Sequence, residues 1–421
     1  MHHFHYVNGR LHCEAVDLAD IAEAVGTPTY VYSTATLTRH AKVIAQAFDG
    51  MDSLIAYSVK ANGNLGVLST LAAAGCGADV VSAGEMRRAL RAGIPASKIV
   101  FSGVGKTRDE MEAALKAGIH QFNVESEAEL HALSDAATQF GRVAPMALRV
   151  NPDVAAGGHP NISTGKAGDK FGVPWSEAEA LYDTAARLPG VKPVGVDVHI
   201  GSQIGDLEPM RAAFEKTAGL LRSLRQRGLD ISRLDLGGGL GIPYTDSDTP
   251  APPADYAAMV REIVDDLPVQ IILEPGRVIA GNAGVLLTRA LYKKPAPERD
   301  FLIVDAGMND LMRPALYGAH HEIRPWREPK KGTPLGAFDV VGPICESTDK
   351  FAAQRHLPEI REGDLLAIMS AGAYGASLSS QYNARPLPAE TLVNHDRYAI
   401  VRKRPDFEEM VALEEIPDWL T

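Results

Sequence analysis

The sequence predicts a (β/α)8 TIM-type barrel followed by a β-rich domain of sandwich or barrel type. Between about residues 50 and 282, eight short runs rich in β-branched and apolar residues alternate with longer segments rich in Ala, Leu, Glu and Arg. After Gly284 helical segments become rare, and strand-like runs are separated by turns that contain Pro and Gly. Because 421 residues exceed a single core of ordinary size, two domains are expected.

The eight β-then-α repeats are the observation that favours a closed barrel. The predicted strands are 54–60, 78–82, 98–102, 120–124, 145–150, 193–200, 232–237 and 269–274. The predicted helices are 84–92, 108–117, 126–140, 176–188, 208–227 and 255–266. A doubly wound open sheet is the alternative that the periodicity leaves open. In a barrel the active site lies at the carboxyl ends of the strands, so residues at those positions are the functional candidates.

The second domain is predicted from its strand-like runs. These are 285–291, 301–305, 338–341, 365–370 and 398–402, and the runs at 4–6 and 29–32 could join them. The predicted division is therefore a barrel at 36–282 and a β-rich domain made of 1–35 and 283–421. The segment 153–172 has five glycines and no apolar periodicity. It predicts a long loop over the active site, whose open or closed state the sequence does not give.

Composition argues against several classes of partner. The formal net charge of −11 and the pI near 5.6, without a basic stripe, argue against nucleic acid. No apolar stretch reaches the roughly 18 residues of a membrane span, and the first residues lack the pattern of a signal peptide. Three cysteines form neither a CxxC motif nor an even-numbered framework, which fits a reducing cytoplasm. The histidine-rich amino terminus has no further ligand nearby in the sequence, so no metal site is expected.

Lys60 ends the apolar run 54–60, at the carboxyl end of the first predicted barrel strand. Burial disfavours an ammonium group and lowers its pKa, which suits an amine that attacks a carbonyl carbon. The alternative is a strand-end lysine that extends its charged head into solvent. The local sequence alone does not exclude that alternative.

Two further strand ends carry residues suited to an anion and to a ring nitrogen. Three glycines at 237–239 follow the seventh strand, where backbone N–H groups can close around a phosphate, although a plain tight turn would look the same. Glu274 ends the eighth strand and needs a partner, either Arg277 or another base in a structural ion pair, or a pyridinium N–H. In the second case the planar Arg277 side chain would meet a phosphate or a carboxylate.

His199 lies at the end of the sixth predicted strand and is followed by Ser202 on the next loop. A lone histidine at a strand end can be purely structural. With a flat cofactor beneath it, the imidazole could instead stack on the ring face. The Ser202 hydroxyl is suited to donate to a phosphate.

These elements occur in one order along the chain: Lys60 in Tyr-Ser-Val-Lys-Ala-Asn, His199 in His-Ile-Gly-Ser, the glycines at 237–239, and Glu-Pro-Gly-Arg at 274–277. Together they resemble the alanine-racemase-like (fold type III) family of pyridoxal-phosphate decarboxylases, over nearly the whole chain. The resemblance implies that Lys60 binds pyridoxal 5'-phosphate covalently and that His199 stacks on its ring. The other cofactor-binding residues that it implies are Arg149, Ser202, Gly238, Gly239, Glu274, Gly276, Arg277 and Tyr374.

Three segments of the second domain, 304–317, 342–347 and 373–376, resemble the diaminopimelate decarboxylase branch of that family. Its substrate, meso-2,6-diaminopimelate, has an amino acid group at each end, so a specific site needs a cation for the far carboxylate and an anion for the far ammonium. Arg277, Arg313 and the Tyr317 hydroxyl would supply the first, and Glu346 the second, with Tyr374 also contacting the substrate. An ornithine decarboxylase would need only the anion, and a buried Arg313 without a partner would then be unfavourable.

The same resemblance implies the reaction and the assembly. Cys345 would protonate the carbon after carbon dioxide leaves, giving L-lysine in the last step of its biosynthesis. The loop with Cys345 and Glu346 comes from the neighbouring subunit in this family, so a homodimer with shared active sites is implied. One departure is Thr348, where the family commonly has Gly, which affects the expected loop conformation.

Three alternatives remain open on the sequence. A related enzyme could act on another amino acid with two polar ends, such as carboxynorspermidine or an intermediate of siderophore or antibiotic synthesis. A racemase is disfavoured because it needs a second base, often tyrosine, where this chain has Cys345. A cofactor-binding protein without activity is disfavoured by the joint presence of Lys60, Glu274 and Cys345.

Overall fold

The computed structural model describes residues 2–155, 168–297 and 299–420. The chain divides into two compact units, one of residues 37–281 and one of residues 1–36 with 282–421. Most of the predicted loop at 153–172 lies outside the described residues, since 156–167 are not among them. Within the described ranges, no helix is both long enough and apolar enough to cross a membrane.

The strands of the described residues are numbered in chain order. They are β1 (Phe4–Val7), β2 (Arg10–Cys13), β3 (Val16–Asp17), β4 (Thr29–Ser33), β5 (Ser53–Ser58), β6 (Gly77–Val80), β7 (Ile99–Phe101), β8 (Gln121–Val124), β9 (Ala144–Asn151), β10 (Val173–Pro174), β11 (Val191–Asp197), β12 (Arg233–Asp235), β13 (Gln270–Leu273), β14 (Gly284–Lys294), β15 (Asp300–Val304), β16 (Ile323–Pro325), β17 (Gly336–Val341), β18 (Lys350–Leu357), β19 (Leu365–Ile368), β20 (Ala389–Asn394) and β21 (Arg397–Arg402).

The α-helices of the described residues are numbered in the same way. They are α1 (Leu18–Val25), α2 (Thr34–Ala47), α3 (Leu65–Ala73), α4 (Ala83–Arg91), α5 (Arg108–Ala117), α6 (Glu127–Gln139), α7 (Ala178–Arg187), α8 (Glu208–Gln226), α9 (Pro253–Ile263), α10 (Arg277–Ala280), α11 (Arg313–Tyr317) and α12 (Phe407–Val411).

The unit of residues 37–281 is a closed barrel of eight parallel strands. Strands β5, β6, β7, β8, β9, β11, β12 and β13 pair in that order, and β13 pairs with β5 to close the ring, with Ile271 opposite Ser53. The strands are buried along nearly their whole length, as expected for parallel strands covered on both faces. The barrel predicted from the eight repeats is therefore confirmed, and the open-sheet alternative is wrong.

Local sequence signals set the ends of the barrel helices. Helix α5 begins at a capping box in which Thr107 and Glu110 bond each other's backbone N–H groups, and it ends at Gly118 with a left-handed φ of 69°. Helices α4 and α6 each begin at a single N-cap serine whose side chain accepts from a first-turn N–H group. These caps hold the chain where it leaves each strand, so the residues between strand and helix lie in defined positions.

The other unit is β-rich, as predicted. Its main sheet runs β18, β17, β15, β14, β4, β20 and β21, with β19 attached at β14 and β16 attached at β19. The run at 29–32 joins this sheet as β4, whereas the run at 4–6 belongs to a separate three-stranded sheet of β1, β2 and β3. Apolar side chains from both sheets and from α1, among them Leu11, Ile21, Val31, Val285 and Leu365, form one core.

Several barrel strands are shorter than predicted, and this changes where the candidate residues lie. Strand β5 ends at Ser58, so Lys60 belongs to a 3-10 turn of residues Val59–Ala61 rather than to the strand. His199 follows the end of β11 by two residues, and Glu274 follows the end of β13 by one. These side chains are therefore carried by the turns just beyond the strands, at the carboxyl rim of the barrel.

Candidate active site

The Lys60 ammonium at the barrel rim is paired with a buried carboxylate. Its Nζ lies 2.9 Å from Oδ2 of Asp79, which also accepts a 2.6 Å hydrogen bond from the Ser58 hydroxyl. The Lys60 side chain is 38% exposed, whereas that of Asp79 is fully buried. Lys60 is therefore only half-buried, because the turn beyond β5 lifts it out of the strand and places it beside an opposite charge. Asp79 was missed by the sequence analysis, because a single acid within a short apolar run gives no distinct signal.

Three carboxyl groups converge at the same rim, at the carboxyl ends of three neighbouring strands. Asp197, Asp235 and Glu274 each contribute an oxygen, and these oxygens lie within 4.8 Å of one another. Burial raises the pKa of Asp235 to about 7. Burial, together with the charge of Asp235, raises the pKa of both Asp197 and Glu274 well above the ordinary carboxyl range. The cluster therefore favours protonated carboxyl groups, and a cation placed against it would favour their ionised form.

Glu274 is held by neutral partners rather than by a base. Its Oε1 accepts from the Ser102 hydroxyl at 3.1 Å and from Asn123 Nδ2 at 3.4 Å. Asn123 Nδ2 also donates to Asp235 Oδ2 at 3.1 Å, which links two members of the cluster. Within the described ranges Glu274 has no ion pair, so the alternative of a structural pair with Arg277 is wrong. The carboxyl group remains suited to a ring N–H.

Arg149, at the end region of β9, supplies a buried positive charge to this rim. Its Nη1 lies 3.4 Å from Glu125 Oε1. Burial lowers the pKa of Arg149, but the carboxylates of Glu125, Asp197 and others more than offset this and leave the pKa raised. Arg149 is thus a permanent cation whose field also acts on the neighbouring histidine.

The His199 ring is held neutral. Burial, followed by the charges of Arg149 and Lys60, lowers the pKa of His199 well below its ordinary value. The Gly238 N–H donates to Nδ1 at 3.1 Å, so the proton of the neutral ring is on Nε2. A neutral, fixed imidazole can lie against a flat ring without bringing a second charge to it.

The glycine turn at 237–239 leaves no room for side chains. A Cβ at Gly238 would lie 2.3 Å from the Glu274 carbonyl oxygen, and one at Gly239 would lie 2.6 Å from the Gly201 carbonyl oxygen. Gly239 also has a φ of 115°, which L side chains rarely adopt. The turn is thus drawn tightly against the loops after β11 and β13, while Gly238 and Gly239 remain partly exposed.

Arg277 and Ser202 form the polar part of the same region. Arg277 begins the short helix α10 after Gly276, and its Nη2 donates to the Ser202 hydroxyl at 2.9 Å. Its Nη1 donates to the Tyr244 hydroxyl at 2.7 Å. Tyr244 was missed by the sequence analysis, because it lies on a loop 33 residues before its partner and has no motif of its own.

These features fit pyridoxal 5'-phosphate. A lysine amine, a neutral imidazole and a buried carboxyl group surround one part of the rim, where a cationic ring nitrogen would relieve the crowding of carboxyl groups. Glycines, a hydroxyl and a guanidinium lie together a short distance away, which is the donor set that a phosphate needs.

The β-rich unit carries the residues predicted for the far end of the substrate. Arg313 begins α11 and is only 5% exposed, with its Nη1 3.3 Å from His321 Nε2. Tyr317 ends the same helix and is half-buried. Tyr374 adopts a left-handed φ of 56°, unusual for a bulky residue and often found at functional positions.

The loop with Cys345 and Glu346 is exposed in the single chain. Glu346 Oε1 accepts from the Tyr382 hydroxyl at 2.5 Å, and Oε2 accepts from the Thr348 hydroxyl at 3.1 Å. Asn383 Oδ1 accepts from the Cys345 N–H at 3.0 Å. The threonine that departs from the family pattern thus holds the carboxylate instead of disturbing the loop. Tyr382 and Asn383 were missed, because nothing local in their sequence marks them.

Buried Asp349 fixes the base of this loop. Its two carboxylate oxygens accept from the Ile344 N–H at 2.6 Å and from the Met308 N–H at 2.7 Å. A Cβ at Gly342 would lie 2.5 Å from the same carboxylate, which explains the glycine there. Cys345 and Glu346 therefore stand on an anchored turn.

Comparisons with known proteins agree with this site. Residues 34–281 match the family described as pyridoxal-dependent decarboxylase, pyridoxal binding domain. The diaminopimelate decarboxylase of Pseudomonas aeruginosa is 49% identical over 98% of this chain and 99% of its own. The crystal structure of diaminopimelate decarboxylase from Helicobacter pylori complexed with L-lysine is 43% identical, with a TM-score of 0.91, over 94% of this chain and 99% of that one.

A second solved structure extends the similarity. Diaminopimelate decarboxylase from M. jannaschii in complex with L-lysine is 35% identical, with a TM-score of 0.94, over 99% of both chains. The match thus includes the barrel and the β-rich unit alike. With Lys60, His199, the glycine turn and Glu274 in place at the barrel rim, the chain belongs to the pyridoxal-dependent decarboxylases, and within them to the diaminopimelate decarboxylases.

Proposed function

We propose that this chain decarboxylates meso-2,6-diaminopimelate to L-lysine and carbon dioxide, the last step of lysine biosynthesis by the diaminopimelate route. The observation that carries the proposal is the barrel rim itself, where Lys60, a neutral His199 and the buried Glu274 lie on turns that follow three of the barrel strands. The relatives named for this reaction cover the whole chain, which supports the same substrate.

Pyridoxal phosphate, when bound, supplies a conjugated cationic ring that accepts the electron pair left by carbon dioxide. Lys60 would hold the cofactor covalently through its amine, at the position that the substrate amine also uses. Glu274 would hold the ring nitrogen in its protonated form. His199 would pack against the ring and exclude water from it.

The phosphate would be held by donors from several loops. They are the hydroxyl of Ser202, the backbone N–H groups of Gly239 and Gly276, the guanidinium of Arg277 and the hydroxyl of Tyr374, and Gly238 would lie against the phosphate in the same turn, with its own N–H donating to His199. Ser202 and Arg277 are already 2.9 Å apart, so little reorganisation is needed when the anion binds.

The β-rich unit recognises the far end of the substrate. Arg313 and the Tyr317 hydroxyl bind the far carboxylate, together with Arg277, and Glu346 binds the far ammonium. The buried guanidinium of Arg313 supports this, because a buried arginine favours a planar anionic partner. Glu346 is held by two hydroxyl groups, and its carboxylate can still accept a third donor.

Cys345 delivers a proton to the carbon that loses carbon dioxide. Its exposure in a single chain fits a loop that completes the site of a neighbouring subunit, so we propose a homodimer with active sites shared across the interface. The three cysteines are free thiols, which supports a location in the reducing cytoplasm.

The experiment that tests this function compares three proteins supplied with pyridoxal phosphate. Wild type should form L-lysine and carbon dioxide from meso-2,6-diaminopimelate, and Lys60→Ala should lose both the product and the visible absorbance of lysine-bound cofactor. Lys192→Ala, which removes an exposed lysine paired with Asp230, is the matched control and should behave as wild type. An unchanged spectrum and activity in Lys60→Ala would refute the assignment.

A further inference from the structure

His321 is a buried histidine of the β-rich unit that no part of the proposed mechanism uses. It is 1% exposed, and it lies between the Arg313 guanidinium and the backbone of Met369. Its Nδ1 is 2.9 Å from the Met369 carbonyl oxygen, and its Nε2 is 3.3 Å from Arg313 Nη1. The hydrogen-bonding role of each neighbour is fixed, since a carbonyl only accepts and a guanidinium only donates.

The two contacts determine the protonation state of the ring. Nδ1 must carry a proton to donate to the Met369 carbonyl, and Nε2 must lack one to accept from Arg313. Only the neutral imidazole with its proton on Nδ1 satisfies both neighbours. The ring therefore donates to the Met369 carbonyl through Nδ1 and accepts from Arg313 Nη1 through Nε2.

The Met369 side of the ring is anchored in the main sheet. Met369 follows β19, and its N–H donates to the Glu322 carbonyl at 2.8 Å. Directly beside it, Ile323 of β16 pairs with Ile368 of β19. His321 is thus hydrogen-bonded next to the paired strands β16 and β19, and through Nε2 it contacts the Arg313 side chain at the start of α11.

A guanidinium is planar, so fixing one Nη atom restricts the orientation of all its other N–H donors. We propose that His321 is a positioning residue that holds the plane of Arg313 in the orientation required by the far carboxylate of the substrate. This inference rests on the proposed function, in which Arg313 binds that carboxylate. It assigns His321 to substrate recognition rather than to the chemical step.

The test uses two ligands that differ only in the group recognised. L-lysine carries the carboxylate, and cadaverine is the same diamine without it. Binding of each to the cofactor-loaded protein is measured by calorimetry for wild type, His321→Leu, His321→Gln and Arg313→Met. His320→Leu is the matched control, because His320 is the exposed neighbour and pairs with Glu322 instead.

His321→Leu should weaken L-lysine about tenfold, the scale of one hydrogen bond to a charged group, and should leave cadaverine within twofold. The KM for diaminopimelate should rise by a similar factor, with kcat nearly unchanged. His321→Gln keeps an acceptor near the Nε2 position and should recover most of the loss. His320→Leu should match wild type for both ligands.

The outcomes distinguish the carboxylate-binding role of Arg313 from the positioning role of His321. If Arg313→Met leaves L-lysine binding intact, the proposed carboxylate role of Arg313 fails. If Arg313→Met weakens L-lysine but His321→Leu does not, or weakens both ligands equally, the positioning role of His321 is overturned. Should His321→Leu show no cooperative thermal transition, the comparison of His321→Gln with the shorter His321→Asn decides. Asn should show the loss, and equal binding by Asn, Gln and wild type would refute the inference.

Discussion

Gly238→Ala gives a direct test of the phosphate-binding turn. The added Cβ would lie 2.3 Å from the Glu274 carbonyl oxygen, whereas ordinary contacts begin at 3.4 Å, so the two backbones must separate by about 1.1 Å. The turn is tied to the same residue by a 2.7 Å bond from the Glu274 N–H to the Gly237 carbonyl, and that bond would stretch or break. Overpacking of this kind costs about 1–3 kcal/mol.

That free energy corresponds to roughly 5- to 150-fold in an equilibrium constant, so we expect at least a fivefold loss in pyridoxal-phosphate affinity. The assay is titration of the cofactor-free protein with pyridoxal phosphate, followed by absorbance. Gly219→Ala is the matched control, because a Cβ there meets nothing within 4 Å on the exposed face of α8. It should bind the cofactor normally and unfold at an equal or higher temperature. Unchanged affinity in Gly238→Ala would refute the close-packed turn.

Three further changes test other parts of the site. Cys345→Ala should retain the bound cofactor but lower kcat by about 10²- to 10⁴-fold, the usual scale for a missing proton donor, and normal turnover would remove that role. Tyr382→Phe frees one oxygen of Glu346 and should raise the KM for diaminopimelate severalfold, whereas exposed Tyr292→Phe should not; equal KM values would contradict the contact. Burial raises the pKa of Asp235 to about 7, so the folded state holds a proton that the unfolded state releases near pH 4, and stability is lost as the pH rises between these values. Asp235→Asn has no such titration. In urea unfolding of the cofactor-free proteins, the free energy of unfolding of the variant relative to wild type should therefore be higher at pH 8 than at pH 5, and a pH-independent difference would refute the raised pKa.

The barrel could be predicted because its signal is local and repeated. Each strand is a short apolar run followed by a helix-like segment, and three of the helices begin at a capping serine or threonine, so the repeats predict the ring. Lys60, His199 and Glu274 could be found for the same reason, since strand ends in a barrel face one site. Their order along the chain then led to the family.

Side chains that act through distant partners could not be found in this way. Asp79 and Asp235 each look like a single acid in a strand, and only barrel closure brings carboxyl groups together and shifts their pKa values. His321 and Tyr382 contact their arginine and glutamate through loop geometry that no local pattern encodes. Lys60 is only half-buried because it lies in the turn beyond its strand, separated from Ser58 by Val59.

The central claim is tested most directly by the substrate. The cofactor-loaded protein should release carbon dioxide from meso-2,6-diaminopimelate with formation of L-lysine, and should act at least about a hundredfold less efficiently on ornithine, arginine, lysine and carboxynorspermidine, the scale expected when a buried charged group is left unpaired. Preference for any of these, or no release of carbon dioxide from diaminopimelate, would contradict the account.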